Sequence, residues 1–340
     1  MRQIFFYCSI IILLILFQGC RNTSEIATIE TIEKPSFDLQ VFEKADSIKI
    51  PDYVTIQPIW WAVKNDQVVM VSPKNKDNFL YVFSLPEFNF LYKYGTYGQG
   101  PNEFVLVSWL NMLNDNQIGM YNDPNRIMYI YDLKPDTLLL NKYLKYKETE
   151  APYNSIQQIE GSMFIFLAYY KYHTEIELVD INTGEILQTF KPILKRKTKK
   201  SLYAPYLLKV TANNDIIVLA YLFINRIELY RLNEKNFVDP FLIIGTEKNQ
   251  EGKEFEDFEI YYTDIQCDDK YIYALSQQGG KRETVKNSTI EVYTLNGEPI
   301  KKITLDRHIE CITIDDKNGV IYGNDSYVDF DYVYVYKLDI

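Results

Sequence analysis

The sequence predicts an all-β fold, a six-bladed β-propeller of four-stranded antiparallel blades. Three observations carry this. A six-residue stretch of alternating apolar residues recurs six times along the chain. Each copy is preceded by the same pairing of a polar turn with an apolar strand. The last copy lacks a fourth strand, while the N-terminal region has one to spare. Fixed self-similarity at roughly 40 to 50 residues is the signature of propeller blades, so it takes precedence over local detail.

The recurring stretch begins at Leu80, Met128, Ile176, Ile227, Ile290 and Val333, typified by Ile176-Glu177-Leu178-Val179-Asp180-Ile181. The steps are 48, 48, 51, 63 and 43 residues. Upstream of each copy a turn rich in Asn, Asp or Gly opens an apolar strand. The turns are Asn65-Asp66, Asp115-Asn116, Gly161-Ser162, Asn214-Asp215, Asp268-Asp269 and Asn318-Gly319. These read as the A-to-B hairpins of successive blades. The sixth unit reaches Ile340 directly after its third strand. The segment from Phe37 to Phe42 and on to Ile48-Lys49-Ile50 is therefore expected to supply its missing outer strand. Such closure leaves no long unpaired edge. The propeller spans residues 35–340 on this reading.

Residues 1–19 are set apart as a signal. Arg2 provides a positive start, Ile4 to Phe17 is almost wholly apolar, and Gln18-Gly19-Cys20 follows. The run is shorter than the roughly 20 residues of a bilayer-spanning helix. It resembles a bacterial lipoprotein signal, which implies cleavage before Cys20 and acylation of that residue. A membrane anchor through Cys20, a tether over 20–34 and a place in the cell envelope, at the outer membrane, follow as expectations. Arg21-Asn22-Thr23-Ser24-Glu25 does not indicate which side of that membrane.

Composition narrows the function. The 29 Tyr and 19 Phe favour strands. The net charge of −10 becomes one unit more negative without Arg2, and it repels nucleic acid and anionic headgroups. Only His173 and His308 are histidines, so a His-rich zinc site is excluded, and neither metal nor cofactor is expected. Cys8 falls in the signal and Cys20 takes the lipid. Cys267 aligns with Ile314, which puts Cys311 on the other side of its strand, so two free buried thiols are expected. A monomer is expected.

The densest turn signal is Gly95-Thr96-Tyr97-Gly98-Gln99-Gly100-Pro101-Asn102-Glu103-Phe104, between strand D of blade one and strand A of blade two. Three glycines and a proline specify backbone shape. Its Gly98, Gly100, Pro101, Glu103 and Phe104 resemble the corresponding loop of TolB-like six-bladed propellers of Bacteroidetes. That resemblance implies a fold and an envelope location, and carries no activity.

D-to-A and B-to-C loops share one face, where propellers hold ligands. The basic run 195–200 and the acidic run 251–259 fall there, each read as a solvated tip or as half of a bipolar rim. Tyr97, Gln99, Asn102, Glu103, Trp61 and Trp109 are the ligand candidates, being flat aromatics beside amides. For the tryptophans, with Trp60, the competing reading is packing between blades. For Glu103 it is a carboxylate that fixes its own loop. There is no Gly-x-Ser-x-Gly elbow, phosphate loop or His-Glu-x-x-His, which leaves His173 and His308 as weak catalytic candidates. The expected function is a ligand- or protein-binding module, its ligand a glycan or an envelope protein. A carbohydrate-active hydrolase or lyase and a purely structural envelope component are the alternatives.

Overall fold

The computed structural model describes residues 29–33, 35–51, 60–64, 66–72, 80–98, 103–105, 107–114, 116–122, 126–145, 153–170, 173–194, 207–235, 237–246, 250, 253–281, 284–325 and 328–340. Cys20, Gln99, Asn102 and the basic run 195–200 lie outside them. Thr31–Ile340 form one compact unit.

Six antiparallel sheets follow one another along the chain. Blade one is Trp60–Lys64, Gln67–Val71, Leu80–Ser84 and Asn89–Tyr94. Blade two is Val107–Asn114, Gln117–Asn122, Ile127–Leu133 and Leu138–Lys145. Blade three is Tyr153–Glu160, Met163–Tyr169, Thr174–Asp180 and Glu185–Phe190. Blade four is Leu208–Asn213, Ile216–Tyr221, Arg226–Leu232 and Val238–Gly245. Blade five is Ile260–Cys267, Tyr271–Gly280, Thr289–Thr294 and Pro299–Leu305. Blade six contributes Cys311–Asp315, Val320–Asp325 and Asp329–Lys337. The expected all-β propeller is therefore the observed fold. At the A-to-B turns Gly161, Asn214 and Gly319 hold φ of 53°, 51° and 63°, the left-handed region that Gly and Asn reach at least cost.

The N-terminal segment closes the ring in a more divided way than a single strand would. Asp46–Lys49 is the fourth strand of blade six, with Ile48 opposite Val333 and Ser47 opposite Tyr334. Leu39–Glu43, expected in the same strand, instead runs parallel to Pro299–Leu305 as a fifth strand of blade five, Val41 opposite Ile303. Glu30–Ile32 borders the sheet of blade four. The chain thus steps from sheet to sheet because the D strands of blades four and five and the C strand of blade six each leave an edge that a short segment can pair.

Cohesion lies between blades. Among the described residues, six apolar clusters fill the six blade-to-blade interfaces. Strands B and C are buried on both faces, as in Gln67–Val71 and Ile216–Tyr221. Each fully buried Val, Leu or Ile there stabilises the ring by about 1.5–3 kcal/mol.

Candidate functional site

The strand pairings set the six A strands level with one another. Following each A strand through strand B to the first residue of the strand C motif places Trp60, Trp109, Ser155, Lys209, Asp264 and Cys311 at one height. The next residues are Trp61, Leu110, Ile156, Val210, Ile265 and Ile312. All six are buried, and each enters a different interblade cluster. One residue further come Ala62, Asn111, Gln157, Thr211, Gln266 and Thr313, polar in five blades of six. Period-two alternation thus sends apolar side chains between blades and leaves amides and hydroxyls for the axis.

These polar levels border an axial cavity of about 710 Å³. Asn111 Nδ2 donates to Gln157 Oε1 at 2.7 Å, linking blades two and three. Asp264 Oδ2 accepts from the Ile312 N–H at 2.9 Å, linking blades five and six, and its Oδ1 accepts from the Ile265 N–H at 2.9 Å. Burial pushes the Asp264 carboxyl above its ordinary value, and the Lys209 ammonium works against that rise. Trp109 owes its place to Gly119, where a Cβ would stand 2.8 Å from the indole ring.

Cys267 and Cys311 are free and part-buried. Thr211 Oγ1 lies 3.2 Å from Cys267 Sγ, and the Cys311 thiol donates to Asn324 Oδ1 at 2.7 Å. Burial raises both thiols, Cys267 to about 12, so neither is a nucleophile at neutral pH.

Buried carboxylates brace the face above. Glu228, second residue of the blade-four motif, accepts five hydrogen bonds. Its Oε1 takes Arg226 Nε (2.7 Å), Tyr221 Oη (3.0 Å) and the Leu194 N–H (3.1 Å); its Oε2 takes Tyr230 Oη (2.6 Å) and the Ile193 N–H (2.9 Å). It thereby fixes the chain entering the D-to-A loop between blades three and four. Glu177 and Glu291 hold the same motif position. Tyr153 donates to Glu177 at 2.6 Å, and Tyr262 and Tyr293 donate to Glu291 at 3.1 and 2.8 Å.

The residues singled out from sequence do not form one constellation. Tyr97 is exposed in a two-residue bridge, Thr96–Tyr97 running parallel to Glu103–Phe104. Glu103 folds over Gly98, where a Cβ would sit 2.0 Å from its Oε2, and the Gly98 N–H donates to the Phe104 carbonyl at 3.2 Å. Phe104 is buried edge-on to Tyr129 (5.6 Å) and Tyr131 (6.4 Å). Trp61 and Trp109 are buried, and they both border the cavity and pack between blades.

His173 is exposed, stacked on Tyr170 at 4.8 Å and paired with Glu175 at 2.9 Å. His308 pairs through Nδ1 with Asp325 at 2.9 Å. Neither borders the cavity. In the described part of the acidic run Lys253 pairs with Glu259 within the run, and Asp257 pairs with Lys281 just beyond strand B of blade five. Among the described residues no three metal-ligating side chains cluster. Sequence reasoning missed Asn111, Gln157, Lys209, Thr211, Asp264 and Gln266. Counting back from the strand C motif through strand B would have found them.

Solved structures share this architecture at low identity. BF0058 of Bacteroides fragilis NCTC 9343, designated a candidate exported protein, is 12% identical with a TM-score of 0.57, covering 91% of this chain and 99% of its own. A DUF4221 family member from Bacteroides vulgatus ATCC 8482 is 12% identical with a TM-score of 0.59, covering 87% and 96%. U3-55K, 8% identical with a TM-score of 0.55, covers 86% and 98%, so at this distance the likeness is one of fold. No curated protein matches in sequence. The TolB-like 6-blade propeller-like family model matches residues 37–317, nearly the whole ring, and the chain belongs to that family.

Proposed function

We propose that this chain is an extracytoplasmic binding module, held at a membrane by acyl chains on Cys20, that receives a ligand at its axial cavity without transforming it. The observation that carries this reading is the cavity itself, walled by polar side chains on rigid strands while both histidines are engaged elsewhere. Function placed on a stiff scaffold of this kind suits recognition. The exported designation of the Bacteroides fragilis relative and the signal-like N-terminus support the location.

The test uses the detergent-solubilised full chain. Envelope extracts are screened for compounds that raise its melting temperature, and each hit is checked for chemical change. Stabilisation with the compound recovered intact supports a binding module. Turnover abolished by His173→Ala or His308→Ala would replace it with an enzyme, for which the His308–Asp325 pair is the available acid–base geometry. Labelling with a radioactive fatty acid, lost in Cys20→Ala, tests the anchor.

A further inference from the structure

The axial cavity carries more information than its size. Building on the binding reading above, we infer that its ligand is a small, uncharged polyhydroxyl compound of mono- or disaccharide dimensions. It is gripped by the ring of Asn111, Gln157, Thr211, Gln266 and Thr313 beneath Trp109.

The donor and acceptor inventory is the first argument. Primary amides present both an acceptor oxygen and two N–H donors, and threonine hydroxyls do both at one atom. A sugar hydroxyl likewise donates once and accepts, so vicinal hydroxyls match such a ring without leaving either partner unpaired. The bond between Asn111 and Gln157 uses one donor of the first amide and one acceptor site of the second, leaving further capacity on each.

Charge supplies the second argument. The level above holds one cation, Lys209, and one anion, Asp264, on adjacent blades and electrostatically coupled. The other carboxylates of the lining, Glu160, Asp268, Asp269 and Asp316, lie at or beside the A-to-B turns, away from the ring. A carboxylate ligand would approach Asp264 and an ammonium ligand Lys209. A neutral ligand meets neither penalty and can hydrogen-bond to both.

A buried donor is also unmet. The Trp109 indole N–H is buried and has no hydrogen-bond partner among the described residues, although its ring borders the cavity. Buried donors in native folds are satisfied, and a hydroxyl oxygen of the ligand would complete this one. A cavity of about 710 Å³ lies within the range of small-molecule sites. Because the gripping residues sit on central strands, little ordering is required on binding.

The experiment is titration calorimetry of the detergent-solubilised full chain against neutral mono- and disaccharides, longer neutral oligosaccharides, uronic acids and amino acids. At least one neutral mono- or disaccharide is expected to bind with a Kd below about 1 mM. Gln157→Leu and Gln266→Leu should each weaken it about tenfold or more by removing a buried polar contact. Thr313→Val is the substitute if either fails to fold, and Glu234→Gln, in the exposed outer turn of blade four, should leave affinity unchanged. The Trp109 indole N–H resonance, assigned with Trp109→Phe, should shift on sugar addition.

Tighter binding of long oligosaccharides than of disaccharides would assign the ligand as a glycan terminus rather than a free sugar, with the class upheld. Sugar binding indifferent to both Gln variants would overturn the site. Binding of charged compounds alone would overturn the class while the binding reading stands. Failure of every compound at about 10 mM would overturn this inference, and only a simultaneous failure of the extract screen would reach the binding reading itself.

Discussion

Two corners of the ring do the same job with opposite chemistry. Between blades three and four, the loop entering the ligand face is tied down by a carboxylate, Glu228 accepting the Ile193 and Leu194 N–H groups at 2.9 and 3.1 Å. Between blades one and two, the equivalent loop is tied down by an apolar ring, Phe104 against Tyr129 and Tyr131. The difference extends to the repeat. The second residue of the strand C motif is Glu in blades three, four and five (Glu177, Glu228, Glu291) and Tyr in blades one, two and six (Tyr81, Tyr129, Tyr334). A buried carboxylate is tolerable only if donors surround it, so blades three to five bring tyrosines to it: Tyr153, Tyr221 and Tyr230, Tyr262 and Tyr293. Where the motif residue is itself a tyrosine, its ring packs on neighbours instead, Tyr81 on Phe90 and Tyr334 under the Arg307 guanidinium. One backbone position therefore supports two ways of fixing a loop.

The strongest way to break this contrast is Glu228→Ala. It leaves the Arg226 guanidinium buried beside two tyrosine hydroxyls and two backbone N–H groups that have lost their acceptor. Removing one partner of such a pair costs about 3–5 kcal/mol, measurable by urea unfolding at neutral pH. The Arg226→Met, Glu228→Met double variant should lose less than the single one, since it removes the stranded charge. A loss below about 1 kcal/mol in Glu228→Ala would mean the corner is held by something else. Phe104→Ala should cost about 3 kcal/mol through the cavity it leaves. Tyr230→Phe, which deletes the 2.6 Å bond to the carboxylate and the hydroxyl's acceptance from the Ile193 N–H at 3.1 Å, should cost about 2 kcal/mol.

How much of this was readable beforehand follows from the same physics. The blades were legible because strands B and C are buried on both faces and write continuous apolar runs, such as Ile216-Ile217-Val218-Leu219. Ring closure was legible as a need, but its division among Asp46–Lys49, Leu39–Glu43 and Glu30–Ile32 was not. Short polar edge segments have no strong pattern, and their partners are set by whichever outer strand edges the blades leave free. The buried glutamates were hidden because Ile-Glu-Leu alternation looks like a strand with one wet face. The cavity residues were hidden for a related reason. Asn111 or Gln157 alone looks like the solvent side of an ordinary strand, and only the closed ring turns those sides onto a shared axis. The loop of Gly95 to Phe104 has the most conspicuous composition in the chain, yet its described residues lie away from the cavity residues. There Phe104 and the closure of Glu103 over Gly98 set backbone shape.

The finest test compares a carboxylate rich in donors with one that has few. Glu228 has five donors from two tyrosines, an arginine and two backbone groups, whereas Asp264 on the cavity wall has three, two backbone N–H groups, one of them its own neighbour's, and the Gln266 amide. Burial raises the Asp264 carboxyl above its ordinary 3.8. A raised acid binds its proton more tightly in the folded state, so the native protein gains stability from this group as pH falls from the folded value towards 3.8, and carries a penalty above that window. Asp264→Asn keeps an acceptor for the Ile312 N–H and removes the titration. Relative to the native chain, its melting temperature should therefore be higher at pH 7 than at pH 4, both proteins being compared at each pH so that other groups cancel. The reverse trend would mean that Lys209 outweighs burial at this site, and that the cavity wall, like the Glu228 corner, is held by a satisfied ion pair.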